Sequence, residues 1–200
     1  TSVPYINDNT IEKVRELFFK RGFSRITMDE LASEMGISKK TLYNHYSGKK
    51  EILELVIKDL RNTLTLGVDQ IMLQEDKTFK EKLLAILSFI GKTMANLEPQ
   101  FLIDLKKSYP ELSKELEAYK HEAAFNRFNL LLEEGIRKGY VKPDVNKSMA
   151  VLVYSSMIEM AMNPEYISKL PHELKRDIPF STTEMFKGMV LVMLQGILNE

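Results

Sequence analysis

The 200-residue sequence contains no cysteine. That excludes a disulfide framework and thiolate chemistry, and it suits a reducing compartment. No apolar run approaches the roughly 18 residues that a membrane-spanning helix needs. The N-terminus lacks the charged-then-apolar pattern of a secretory signal, so the chain reads as soluble and cytoplasmic. Glycine (9) and proline (7) are few and sit mostly at boundaries. No two-residue alternation is sustained, no internal repeat appears, and no segment is of low complexity. Net charge is absent too: 28 Lys and Arg balance 28 Asp and Glu. A uniformly basic nucleic-acid binder is thereby excluded. The balance hides a split, because residues 1–50 hold nine basic and six acidic side chains, or +3. The other 150 hold 19 and 22, or −3. Such asymmetry hints at nucleic acid or membrane contact.

What is present is helical periodicity almost throughout, in an amount of apolar residue (44%) normal for a globular core. Asn9 with Glu12 has capping-box spacing and opens a first helix, striped by Ile11, Val14, Leu17 and Phe18 and closed by Gly22. Thr27 with Glu30 is a second capping box, opening a short helix through Leu31 and Ala32 to Met35. Gly36 can take the left-handed conformation that ends it. Ser38 is a good N-cap for a third short helix, Lys39 to about His45. A long fourth helix follows Ser47-Gly48, from Lys49 to Leu73. Further helices are expected from Thr78 to Ala95, after Pro99, from Pro110 to Gly139, from Val145 to Met162 and from Thr182 to Leu198. Residues 163–180 read as a surface connection. The sum is an all-α chain of nine helices, divided into residues 1–47 and 48–200, with helix four as the bridge.

The stretch Thr27 to His45 has the anatomy of a helix-turn-helix: two short helices, a tight turn with Gly36, and a second helix that starts with polar and basic residues. Ala32 is small where the helices cross, and Leu31, Ile37 and Leu42 are spaced to fill the core between them. That leaves Lys39, Lys40, Thr41, Asn44 and His45 outward, able to reach base edges in a major groove. Lys donates to guanine, Asn pairs with adenine, and Thr touches a base or a thymine methyl. Ser38 caps this helix and joins the same surface. Lys49 sits at the start of helix four, where free N–H groups and the helix dipole favour a phosphate. The hydroxyls of Tyr43 and Tyr46 can bond phosphate oxygens.

Thr27, Leu31-Ala32, Gly36-Ile37-Ser38, Thr41-Leu42-Tyr43-Asn44-His45-Tyr46, Lys49, Glu51 and Leu53 together resemble the TetR family of bacterial transcription regulators. The resemblance spans residues 10–57. It implies a homodimer in which helix three of each subunit reads a half-site, and a larger C-terminal domain whose small effector changes DNA affinity. Carried over position by position, it implies DNA contact by Thr27, Lys39, Lys40, Thr41, Tyr43, Asn44, His45 and Lys49. It names no effector.

Elsewhere the residues are less telling. His121 lies four after Glu117, but two ligands without a third make a weak metal site, and a surface ion pair is the plainer expectation. No Ser/His/Asp set, phosphate loop or paired carboxylates stand out, so an enzyme reading has nothing to rest on; neither cofactor nor metal is expected. Seven of the eleven Met lie after residue 148, and flexible Met suits packing or an adaptable binding surface. Phe89, Phe101, Phe125, Phe128, Tyr154 and Met157 could line a pocket for an apolar effector, with Glu159 either on the solvent side of its helix or a polar anchor. The last two long helices are apolar over about two faces. Met149, Met185, Met189, Val192, Met193 and Gly196, with Gly188 eight residues before Gly196, are expected at a four-helix dimer interface. The function that follows is a ligand-responsive repressor on a pseudo-palindromic DNA operator. The alternative is a helical carrier or sequestering protein for an apolar molecule with an idle DNA-binding unit.

Overall fold

A computed structural model of the chain describes residues 8–94, 97–161, 166, 168–178 and 182–197. It contains ten α-helices among the described residues and no strand: α1 Asp8–Arg21, α2 Met28–Glu34, α3 Lys39–His45, α4 Lys49–Met72, α5 Phe79–Thr93, α6 Pro99–Ser108, α7 Pro110–Arg137, α8 Lys147–Ala161, α9 His172–Asp177 and α10 Thr182–Ile197. A 3-10 turn, Phe23–Arg25, stands between α1 and α2. Nine helices were expected. The extra one is α9, six residues of which none is buried, inside the stretch expected to be a connection; its short polar sequence buries nothing and so carries no apolar stripe to read. The expected ends at Ala95, Met162 and Leu198 lie outside the described residues.

Capping chemistry decides the clearest boundaries. Thr27 and Thr78 each accept from the backbone of the third residue on, and Glu30 and Glu81 return the bond to the cap N–H. Two orphan donors are thus satisfied at each helix start. At the far end of α2, Gly36 has φ +68°, its N–H donates to the Ser33 carbonyl at 3.1 Å, and the Ile37 N–H donates to Ala32 at 2.9 Å. This pair of bonds is the Schellman closure, which places a left-handed residue after the helix and which glycine adopts without strain.

The chain forms two compact units, Thr1–Leu64 with Asn96–Ala118, and Thr65–Ala95 with Tyr119–Glu200. The first therefore takes in more than residues 1–47: the opening turns of α4, all of α6 and the start of α7. Its core joins Phe18, Phe19, Phe23, Leu31, Leu42, Leu53 and Phe101, all buried. The Phe101 ring meets Phe19 edge-on at 5.0 Å and Phe23 at 5.9 Å. Such pairs each add about 0.5–1.5 kcal/mol beyond area burial. Arg15 is buried on the inner side of α1 and reaches Asp59 of α4 at 2.6 Å.

The second unit packs α5, α8 and α10 together around Leu83, Leu132, Val151, Val190 and Leu194. Phe128 and Tyr154 stack face to face at 4.0 Å. A charged group sits in this unit as well. Lys82 is 1% exposed, and its ammonium donates to the Met72 carbonyl at 2.8 Å and to both oxygens of Glu134 at 2.8 and 2.9 Å. It satisfies an orphan carbonyl at the last residue of α4, where the helix dipole favours a cation. Glu134 also accepts from Lys138 at 2.9 Å. Burial pushes the Glu134 carboxyl up, but the bonds from Lys138 and Lys82 outweigh it and leave the group below the ordinary range. Removing one partner of a buried pair strands the other charge, at a cost of about 3–5 kcal/mol. Glu134→Ala should therefore lower the denaturation midpoint by an equivalent amount. A loss under about 1 kcal/mol in urea unfolding would show that Lys82 finds another partner.

Candidate DNA-binding site

The recognition surface is built outward from one side chain. Leu42 is fully buried, the only residue of α3 that is, against a core that includes Leu31 and Ala32 of α2. With that point fixed, the helical period turns Lys39, Lys40, Tyr43 and Asn44 outward; all four are exposed, Tyr43 at 49%. Thr41 and His45 are half-buried at the edges of this face. Ser38 caps the helix: its hydroxyl accepts from the Thr41 N–H at 3.0 Å and shares a 2.8 Å hydrogen bond with the Thr41 hydroxyl.

Three expected contact residues are placed differently from the rest. Tyr46 is 3% exposed, so its ring belongs to the core and its hydroxyl is not offered to a phosphate. The reason is geometric: Tyr46 is four residues beyond Leu42, one helical turn on the same inward face. Lys49 is half-buried, and its ammonium donates to the Phe23 carbonyl at 2.8 Å and the Ser24 carbonyl at 3.4 Å. It ties the start of α4 to the 3-10 turn rather than standing free at a helix N-terminus. Burial pushes the Lys49 ammonium below its ordinary value, against the pull of Glu30 and Asp104. The Thr27 hydroxyl is committed to its capping box.

Acidic groups shape the rest of the surface. Asp29 holds Lys39 at 2.8 Å, and this hydrogen bond, then the charge of Asp29, raises the lysine above its ordinary value. Glu30 accepts from Arg21 at 2.7 Å. Asp104 of α6 accepts from the Ser24 hydroxyl and from Gln100 at 2.6 Å. Lys20, Arg21 and Arg25 line an open cleft of about 420 Å³ together with Glu98 and Gln100. None of these acidic partners was read as part of the surface. Asp29 and Lys39 lie ten residues apart on two helices, and only the crossing of α2 with α3 brings them together.

The residues expected around a pocket separate. Phe128, Tyr154 and Met157 come together in the second unit, and Tyr154 also meets Phe186 at 5.7 Å. Phe89 packs on that cluster with its ring over Gly67, where a Cβ would fall 2.1 Å from the ring. Phe101 belongs instead to the core of the first unit, because α6 packs there on α1 and the 3-10 turn. Phe125 is 56% exposed. Glu159 is exposed and pairs with Lys120 at 3.2 Å, with His121 at 3.9 Å, so it lies on the solvent side of α8. No group of three or more His, Asp and Glu could hold a metal among the described residues, and no described helix is long and apolar enough to cross a membrane.

Acid should test the capping box. The backbone N–H of Thr27, then Arg21 and the Thr27 hydroxyl, hold the Glu30 carboxyl at about 2, down from 4.5. A lowered carboxylate contributes stability that is complete above the unfolded value and is lost as pH falls through the folded one. Glu30→Gln and the parent should therefore differ in urea midpoint above about pH 5 and converge toward about pH 2. A gap that stays constant across that window would rule out the ionised cap.

Comparison with known proteins gives the family. Residues 11–56 match the family model described as bacterial regulatory proteins, tetR family. YvaF of Bacillus subtilis, an uncharacterized HTH-type transcriptional regulator, is 30% identical over 182 residues, 90% of each chain. IcaR of Staphylococcus epidermidis, the negative transcriptional regulator of the biofilm operon icaADBC, is 24% identical over 137 residues, 68% of this chain and 69% of its own. Among solved structures, a transcriptional regulator from Cytophaga hutchinsonii superposes with a TM-score of 0.72 at 21% identity, covering 96% of this chain and 98% of its own. The TetR-family regulator PfmR of Thermus thermophilus does so at 0.61 and 20% identity, over 93% and 97%. A carrier with an idle head is not favoured by such relatives. The chain belongs to the TetR family and is a DNA-binding transcriptional regulator.

Proposed function

We propose that this regulator is a repressor that holds a pseudo-palindromic operator as a homodimer and lets go when a small apolar or amphipathic molecule binds its second unit. The observation that carries the DNA part is the outward face of α3, with Lys39, Lys40, Tyr43 and Asn44 exposed around a buried Leu42. Lys40 and Asn44, four apart, stand on one stripe and suit base edges; Tyr43 suits a phosphate. Thr41, His45, Ser38 and Thr27 border this face. A dimer would set two such helices about 34–36 Å apart, one DNA turn. Repression is supported by IcaR, which is named a negative regulator.

Dimerisation is supported by two apolar stripes that the monomer leaves bare. On α8, Met149, Leu152 and Val153 are exposed at helical i, i+3, i+4 spacing. On α10, Leu191 and Val192 are exposed, Val192 at 71%. A Cβ on Gly188 or Gly196 would meet nothing within 4 Å, so another helix could come close there. Two copies of each stripe make a four-helix interface. The expected list changes in detail: Met149, Val192 and Gly196 face out, while Met185 is buried and Met189 and Met193 pack half-buried on the core. Leu152, Val153 and Leu191 take their place.

For the effector, the apolar cluster of Phe89, Phe128, Tyr154 and Met157, rimmed by Met189 and Met193, offers flexible side chains that can repack around an apolar guest. The guest can shift the equilibrium only through unequal affinity for the two states. Helix α4 contributes residues to both units.

Two experiments test this. A mobility-shift titration on an operator selected from random DNA should give log affinity falling with log salt at about −0.9 per neutralised phosphate. Tyr43→Phe with Asn44→Ala should weaken the shift at least tenfold at fixed salt. An unchanged shift sinks the assignment of α3. Separately, Val192→Glu with Leu191→Glu should convert the dimer to monomer in analytical ultracentrifugation without loss of helical signal. A dimer that survives places the interface elsewhere.

A further inference from the structure

One carboxylate stands on the same outer surface as the recognition residues. Asp29, in the first turn of α2, holds the ammonium of Lys39, the first residue of α3, through both of its oxygens at 2.8 and 2.9 Å. Both side chains are more than half exposed. An exposed ion pair adds little stability, and a carboxylate contributes nothing to the attraction for phosphates. The value of the pair lies in what it displays.

An ammonium has three donors and Asp29 takes at most two; a carboxylate has about four lone-pair positions and Lys39 uses two. The pair therefore still offers one donor and, beside it, two acceptor positions. The major-groove edge of a base pair offers the complement. The keto oxygen of one base and the amino group of the other are hydrogen-bonded to each other, so they lie about 2.9 Å apart. The 2.8 Å between Lys39 and Asp29 matches that spacing.

We propose that Asp29 and Lys39 act as one unit that reads the polarity of a single base pair in each half-site, with Lys39 over the keto base and Asp29 over the amino base. This rests on the proposal above that α3 enters the major groove. It makes Asp29, from the other helix of the motif, a specificity-determining residue. The chemistry ranks the four pairs, naming the base under Lys39 first. G·C stands highest, because the one remaining N–H of the ammonium can be shared between guanine O6 and the neighbouring N7, and cytosine N4 donates to the carboxylate. T·A comes next, with thymine O4 as the single acceptor beside a methyl and adenine N6 as the donor. C·G and A·T come last, because each sets the ammonium against an amino group and the carboxylate against a keto oxygen.

The test uses the full-length protein and an operator recovered by selection from random DNA, with every half-site position changed in turn to all four base pairs. Competition binding is measured for the parent, Asp29→Ala and Lys39→Ala. One position should show the order above, with G·C over C·G by roughly 5- to 150-fold, the range of a good paired contact. Asp29→Ala should shrink that preference to within about threefold, and Lys39→Ala should shrink it at the same position and no other. Coincidence of the two effects at one position is the signature. If Asp29→Ala leaves every preference as it was, or tightens all sequences alike, the inference is overturned. Asn44→Ala separates this from the wider reading. Loss of specificity there, with none in Asp29→Ala, leaves α3 in the groove and removes Asp29 from it. No preference at any position in the parent overturns both.

Discussion

A helix of seven residues cannot hold itself together in water, because nucleation costs more than two turns of hydrogen bonds return. The recognition helix α3 exists only because Leu42 is buried beneath it. Full burial of such a side chain contributes about 1.5–3 kcal/mol, and the Ser38 cap adds about 1 kcal/mol. Everything the head displays depends on this anchor. With Leu42 pointing in, Lys39, Lys40, Tyr43 and Asn44 have no direction left but outward. Tyr46 repeats the anchor one turn later, past the end of the helix, and fixes how the chain leaves it.

The same constraint explains why polar side chains in the head serve as struts. A small domain with two very short helices has little apolar area to hold its loops. Lys49 reaches back to two carbonyls of the 3-10 turn, Asp104 reaches across from α6 to Ser24, and Arg15 reaches from α1 to Asp59. The first two tie the 3-10 turn to a helix, and the third ties α1 to α4. The cost is that cations which look available for phosphate in the sequence are already occupied in the fold.

Charge is distributed in keeping with this division. Neutrality of the whole chain conceals a basic first quarter and an acidic remainder. Lys39 and Arg21 in the head are each matched by a carboxylate, Asp29 and Glu30. A carboxylate beside each of these cations offsets its attraction for phosphates. In the second unit Lys82, a deeply buried cation, is spent on structure, closing the C-terminus of α4.

Local chemistry made much of this legible in advance. The capping boxes at Thr27 and Thr78, the Ser38 cap and the turn at Gly36 are set by residues within four positions of one another, so the starts of α2, α3 and α5 and the helix-turn-helix itself could be read from sequence. Burial at Leu31, Ala32 and Leu42 followed from helical period alone. Spacing could not say which face of a largely apolar helix turns inward. On α10, Met185 is buried while Val192 stands exposed, and the difference comes from where α5 and α8 lie against it. Nor could it assign Phe101 to the head, since that follows from α6 packing on α1, some eighty residues earlier in the chain. The meeting of Asp29 with Lys39 and the engagement of Lys49 by distant carbonyls have the same origin. Sequence by itself determined nine of the helices, the caps at Thr27, Ser38 and Thr78, and the family. Tertiary packing decided which polar side chains remain free to act, because only contact between distant segments consumes a donor or leaves it exposed.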